Sequence, residues 1–129
     1  MLERRKVTSG APWESLFGYC RAIRVGNIVE VSGTTAMKDG EVVGEGDIYQ
    51  QTLCILQIIE KAIEQVGGNI KDVIRTRIYV TDITKWEEVA KAHSLYFSEI
   101  IPVTSMVEVS ALMDFRLLIE IEAQAIIEG

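Results

Sequence analysis

Two segments with helical spacing separate runs that alternate as β-strands do, and this order limits the folds open to the chain. The first covers residues 48–66, and its core-facing positions recur every three or four residues: Ile48, Thr52, Ile55, Ile59, Ala62 and Val66. Asp47 can cap its N-terminus, and Gly67-Gly68 ends it. The second covers residues 85–98, where Thr84 and Glu87 predict a capping box.

Five runs are predicted to be strands: residues 20–25, 28–34, 74–81, 104–110 and 116–127. Gly26-Asn27 makes a hairpin of the first two. In the third, Ile74 and Thr76 are expected on one face, and Arg77 and Tyr79 on the other. The order strands, helix, strand, helix, strands predicts an α+β fold: a ferredoxin-like sandwich with a mixed β-sheet and two helices packed on one face.

Residues 1–129 are expected to form a single domain, because the length is typical of one and no Pro-, Gly- or Ser-rich linker divides the chain. Two helices can cover only one face of the sheet. The other face is expected to carry Tyr79, Met106 and Ile121 among charged residues. Because a half-apolar sheet face is usually closed by other subunits, the pattern predicts a homo-oligomer.

Charge argues against nucleic acid as a general partner. The net charge is −6 and no block of Lys or Arg occurs, so approach to a phosphate backbone is disfavoured. Arg21, Arg24, Arg75 and Arg77 leave a local basic groove open. No apolar run is long enough to cross a bilayer, and the N-terminus lacks the pattern of a signal peptide. A cytoplasmic protein without a membrane partner is therefore expected.

Cysteine and histidine are scarce. Cys20 and Cys54 are expected to be reduced and to act as small core residues, because a cytosolic setting disfavours a disulfide. A lone histidine gives no metal cluster, so no metal and no cofactor are expected. His93 lies on an apolar helical stripe and is interpreted as a packed, hydrogen-bonded residue.

An ordered set of short segments resembles the Rid/YjgF family, whose older labels are endoribonuclease L-PSP and translation inhibitor. The segments are Gly18-Tyr19, Val25-Gly26-Asn27, Val31-Ser32-Gly33, residues 78–82, residues 101–109 and residues 119–123. No piece is specific alone, but their order and spacing are. The resemblance implies a chorismate-mutase-like fold, assembled as a homotrimer around a sheet-lined barrel, with clefts at the subunit interfaces that bind a small molecule.

The resemblance also implies roles for single residues. Tyr19, Ser32 and Gly33 match ligand-binding positions, and Glu120 matches the glutamate that holds the attacking water in imine deaminases. The arginine that grips a substrate carboxylate in active members falls on Thr104. The nearby cysteine falls on Met106, and an asparagine that lines the cleft falls on Ala90.

Threonine supplies no charge, whereas an arginine fork suits a carboxylate. Weak or absent turnover of 2-iminobutanoate and 2-iminopropanoate is therefore expected.

Alternatives remain for several of these residues. Arg21 is placed on the Tyr19 face of its strand and is a candidate anion anchor, or else a solvated or interface arginine. Arg77 is either a ligand-binding residue or a partner in an interface ion pair. Glu120 is either a general base or an interface hydrogen-bond acceptor, with Glu122 expected on the opposite face. Both tryptophans, Trp13 and Trp86, are interpreted as packing residues; Trp13 could also cover the cleft.

Three functions compete at this level. The first is hydrolysis of a reactive imine or enamine with altered specificity. The second is a non-enzymatic small-ligand binder or sensor. The third is a ribonuclease, which the acidic charge and the lone histidine on a core stripe disfavour.

Overall fold

The computed structural model describes residues 2–128. Its strands are β1 (Arg4–Val7), β2 (Ala22–Val25), β3 (Ile28–Thr34), β4 (Met37–Lys38), β5 (Glu41–Val42), β6 (Val73–Val80), β7 (Val103–Glu108) and β8 (Ile119–Ile126). Its α-helices are α1 (Pro12–Phe17), α2 (Ile48–Gln65) and α3 (Trp86–Phe97). Short 3₁₀ turns at Ile70–Asp72 and Ile83–Lys85 precede β6 and α3.

Six strands form one sheet in the order β1-β2-β3-β8-β6-β7, and β4 and β5 form a separate hairpin. All neighbours in the large sheet are antiparallel except β6 and β7, which run parallel. The helices α2 and α3 pack on each other and cover one face of the sheet. The predicted α+β fold with a mixed sheet is therefore confirmed. The short helix α1 was not predicted.

The alternating side chains of β8 show which face of the sheet is buried beneath the helices. Ile119, Ile121, Ala123 and Ala125 are fully or almost fully buried in the core beneath the helices. The expectation that Ile121 lies on the open face was wrong, because Ile121 is paired with Ile78 of β6, whose side chain is also in the core.

Met106 was misplaced in the same way. It lies beside Ile78 in the parallel pair and packs against the core. Tyr79, the third residue expected on the open face, is one position from Ile78 and half-buried on that face.

Local irregularities changed two other expectations. Ile74 is bulged out of β6 between Val73 and Arg75 and is exposed, so it does not share the face of Thr76. The last strand begins at Ile119 rather than residue 116. A turn precedes it, in which the Asp114 carboxylate accepts hydrogen bonds from the backbone and the guanidinium of Arg116 at 2.9 and 3.0 Å.

The helix caps predicted from the sequence are only partly confirmed. Asp47 caps α2 as predicted, accepting from the backbone N–H of Gln50 at 3.1 Å. Thr84 does not cap α3, because a 3₁₀ turn precedes the helix and Asp82 caps that turn instead, accepting from the Thr84 N–H at 3.0 Å. Within residues 2–128, no helix is both long and apolar enough to span a membrane.

Candidate functional site

A cavity of about 510 Å³ lies between α1, the end of β3 and the open face of β8. Five of the seven candidate site residues line it: Tyr19, Arg21, Ser32, Gly33 and Glu120. Its apolar wall includes Trp13, Phe17, Ile58, Leu112 and Met113. A cavity with an apolar wall and a few convergent polar groups is the usual form of a small-molecule site.

A bulge in β3 forms one wall of the cavity. Val31 and Thr34 pair with β8, but Ser32 and Gly33 between them do not. Ser32 Oγ donates to the carbonyl of Cys20 at 2.7 Å, which turns this hydroxyl back onto its own chain. A glycine inside a strand is typical of a bulge or of a close ligand approach, and Gly33 lies in a bulge.

The carboxylate of Glu120 lies over the backbone of Gly33. A Cβ at position 33 would meet the carboxyl carbon of Glu120 at 2.8 Å. The space that a side chain would fill is occupied by this carboxylate, so a glycine at this position places Glu120 against the bulge.

Glu120 is half-buried and has no hydrogen-bond partner among the described residues. Burial raises its pKa, and the charge of Glu122 adds to this effect, while Arg21 opposes it. Glu122 was expected on the opposite face. It lies on the same face, because a step of two residues along a strand restores the side-chain direction.

Arg21 lies in the cavity wall, 4% exposed, and its guanidinium carbon is 5.6 Å from the ring centroid of Tyr19. Its Nη2 contacts Glu14 Oε2 at 3.1 Å. Its Nη1 donates to the carbonyl of Gly33 at 2.6 Å and to Thr34 Oγ1 at 3.1 Å. The interpretation of Arg21 as a solvated residue is therefore wrong.

Glu14 and Ser9 complete this buried cluster. Burial alone would raise the pKa of Glu14, but hydrogen bonds from the Ser9 hydroxyl and backbone N–H, together with Arg21, outweigh burial and hold that pKa below its usual value. Glu14 belongs to α1, so the pair ties α1 to the bulge. Sequence reasoning missed α1, although Pro12 at its first turn and Gly18, with φ of 85°, at its end mark a short helix.

Thr104 and Met106 do not line the cavity of their own chain. Both lie on β7 beside β6, and their side chains face the helices. Thr104 Oγ1 is 2.7 Å from Thr76 Oγ1, which is 3.0 Å from His93 Nε2. His93 is thus packed and hydrogen-bonded as predicted, and burial lowers its pKa.

The remaining candidates lie apart from the buried cluster. Arg77 is half-exposed on the open face, with its Nη1 3.5 Å from Glu122 Oε1, and Tyr79 donates to Glu122 at 3.2 Å. Trp86 is 53% exposed, so its interpretation as a packing residue was wrong. Ala90 is exposed on α3, away from the cavity.

Neither the cysteines nor any group of metal-ligating side chains among the described residues adds to this site. Both thiols are free, and burial raises the pKa of Cys54. Over residues 2–128, no group of three or more His, Cys, Asp or Glu side chains is placed to hold a metal ion.

Known proteins resemble this chain over most of its length. The family model described as Endoribonuclease L-PSP matches residues 9–127. A Mycobacterium tuberculosis structure, a member of the YjgF family, is 50% identical, with a TM-score of 0.88 over 97% of this chain and all of that one. A RutC family protein of Pyrococcus abyssi is 36% identical over 83% of this chain and 84% of its own length. The 3-aminoacrylate deaminase RutC of Acinetobacter baylyi is 32% identical over 70% of this chain and 73% of its own length.

Proposed function

This chain belongs to the Rid/YjgF family, also called endoribonuclease L-PSP, and from that premise we propose that it binds a small nitrogen-containing metabolite beside Gly33 and hydrolyses a C=N bond there. The observation that carries the proposal is Glu120, a half-buried carboxylate that lines the cavity without a partner in the described chain. The similarity to a protein named 3-aminoacrylate deaminase supports the reaction class.

Glu120 acts as the base in this reaction. Its carboxylate takes a proton from a water molecule while the water oxygen bonds to the carbon of the C=N group. The proton then passes to the nitrogen, which gives a carbinolamine. Glu120 next takes the proton of the new hydroxyl and delivers it to the nitrogen, so that the C–N bond breaks as the C=O bond forms and ammonia leaves. A raised pKa suits both halves of this exchange, because a carboxyl that titrates closer to neutral pH gives and takes a proton more readily.

The substrate differs from that of typical relatives. By the family resemblance, Thr104 replaces the arginine that grips a carboxylate, and between Lys91 and Arg116 the sequence contains no Lys or Arg to replace it. Hydrolysis of 2-imino acids such as 2-iminobutanoate is therefore expected to be weak.

The proposal includes a homotrimer with the cleft between subunits. Thr104 lies on the edge strand β7, outside the cavity of its own chain, so a ligand that contacts both Thr104 and Glu120 needs a second subunit. Apolar side chains around this edge support the assembly: Ile101, Val103, Val107, Met113 and Phe115 are all exposed in the single chain.

Imines generated in situ by an amino-acid oxidase, together with imines and enamines that lack a carboxylate, test the activity. Ammonia release above the uncatalysed rate is expected for part of this panel, with a loss of roughly 100-fold in Glu120→Gln. Glu64→Gln, an exposed glutamate on α2, is the control and should retain full rate.

Ligand binding without any acceleration would instead indicate a non-enzymatic binder or sensor. A salt-sensitive shift of RNA on a gel would revive the ribonuclease alternative.

A further inference from the structure

The cavity contains one carboxylate without a partner, and Arg21 is the one Lys or Arg that lines it in the described part of the chain. From this charge arrangement we infer that the site selects cationic or neutral nitrogen ligands, such as iminium, amidine or amide groups, over carboxylates. The inference deepens the proposed function and rests on it for the identity of the site.

The positive charge of Arg21 is already neutralised inside its own chain. All three guanidinium nitrogens donate within the molecule, to Glu14, Ser9, Thr34 and the Gly33 carbonyl. Both side chains of the Arg21–Glu14 pair are only 5% exposed. A ligand carboxylate would have to compete with Glu14 for the charge of Arg21, and displacement of Glu14 would leave it buried and unpaired, which is strongly unfavourable. This geometry argues against the role of carboxylate anchor that the sequence suggested for Arg21.

The acidic groups of the cavity are less well compensated. Glu122 receives a hydrogen bond from Tyr79, and its contact with Arg77, at 3.5 Å, is long and half-exposed. Glu120 has no partner in the described chain. The field that a ligand meets is therefore negative.

If β7 of a second subunit contributed to the cavity, it would not make the field there positive. The sequence from residue 92 to residue 115, which includes β7 and Thr104, contains no Lys or Arg. If this stretch closes the cavity of a neighbouring chain, it contributes hydroxyl, thioether, apolar and acidic groups but no Lys or Arg.

Ligands of one shape and three charges test the inference directly: benzamidine, benzamide and benzoate. Binding is measured by calorimetry on the intact protein at about pH 8, where carboxylates are ionised. Benzamidinium is expected to bind at least about tenfold more tightly than benzoate, with benzamide between them, because the ligand charge lies close to Glu120 in a partly desolvated site. Benzoate binding as tightly as benzamidinium would overturn the inference.

Variants locate the origin of the preference. Glu120→Gln should reduce the ratio of benzamidinium to benzoate affinity by about tenfold or more, since the unpaired charge is lost. Glu64→Gln should leave the ratio unchanged. Glu14→Gln should raise benzoate affinity, because it frees the charge of Arg21. If Glu14→Gln does not fold, the Glu120→Gln comparison still decides the matter, and an unchanged ratio in Glu120→Gln would contradict the inference.

The binding series needs no turnover, so it can fail separately from the proposed function. A preserved charge preference with no imine hydrolysis would refute the enzyme and leave the inference standing. Efficient hydrolysis of 2-imino acids, with benzoate preferred over benzamidine, would support the enzyme and refute the inference.

Discussion

A substitution at Gly33 is expected to change the free energy of unfolding little and the catalytic rate strongly. The atoms that a new Cβ would meet belong to the movable carboxyl end of Glu120. Gly33→Ala is therefore expected to push Glu120 aside and to cost less than about 1.5 kcal/mol of unfolding free energy. Imine turnover should nevertheless fall by about tenfold or more, because displacement of a catalytic group by a small distance is costly. Urea unfolding and ammonia release measure the two effects. A large loss of stability with normal turnover would show that Glu120 is not the base.

The pH dependence of turnover follows from the raised pKa of Glu120. A base must be ionised, so the rate is expected to rise as the pH climbs through a pKa above the usual 4.5 and then to level off. Burial is the main cause of the raised pKa, and Glu122 from the same strand adds to it, while Arg21 opposes it.

Glu122→Gln should therefore move the midpoint of the pH–rate profile to lower pH. Tyr79, which faces the same carboxylates from β6, should remain protonated over this range, because burial and Glu122 raise its pKa. A midpoint that does not move in Glu122→Gln would contradict the assignment of the profile to Glu120.

Among the secondary-structure elements, α1 is attached to the sheet by one buried ion pair, Arg21–Glu14. Arg21→Met leaves Glu14 buried without its partner, and a loss of about 3 kcal/mol of unfolding free energy is expected. Because the pKa of Glu14 is lowered in the fold, the stability that it contributes is present above its unfolded value of 4.5 and is lost as the pH falls through the folded pKa.

The double variant Glu14→Gln/Arg21→Met should recover part of the lost stability, because no buried charge then remains. Urea unfolding of the wild type, both single variants and the double variant measures the coupling. Additive losses in the double variant would show that the pair does not act as a unit.

The packing of α3 against β6 gives a second pH effect, through His93. Burial lowers its pKa below 6.5, so the folded protein favours the neutral ring. The unfolded chain binds a proton first as the pH falls, and stability is expected to decline from about pH 6.5 downward. His93→Gln should flatten this part of the curve measured by thermal unfolding. An unchanged slope would assign the effect to other groups.

The helices α2 and α3 and the five longer strands could be predicted from the sequence, because apolar spacing and β-rich runs are strong local signals. The short elements α1, β1, β4 and β5 could not. Features that depend on the register between paired strands could not be predicted. The bulge at Ile74 and the parallel pairing that brings Thr76 next to Thr104 are decided by contacts between distant segments. The same holds for the site: Tyr19 and Glu120 were found by resemblance, but Glu14 was missed because its role exists only through Arg21.

At the scale of the whole molecule, one group of exposed apolar residues lies around the β7 edge of the sheet. Val107 on the edge strand is 47% exposed and Phe115 after it is 90% exposed. Met113, which lines the cavity, is exposed as well. Apolar surface grouped in this way at the rim of a cavity is typical of a surface that a partner covers. A second copy of the chain, as in the proposed homotrimer, would bury the edge and close the cavity.

Light scattering is therefore expected to give a mass of three times 14.4 kDa at micromolar concentration. Val107→Glu should dissociate the assembly and reduce turnover, because it places a charge in the apolar edge. Leu95→Glu, which alters a leucine 65% exposed on α3, is the matched control and should leave the mass unchanged. The expectation rests on α3 lying away from β7's outer edge, on the covered face of the sheet. A mass of 14.4 kDa for the wild-type protein would contradict the trimer. Dissociation by Leu95→Glu but not by Val107→Glu would place the interface elsewhere.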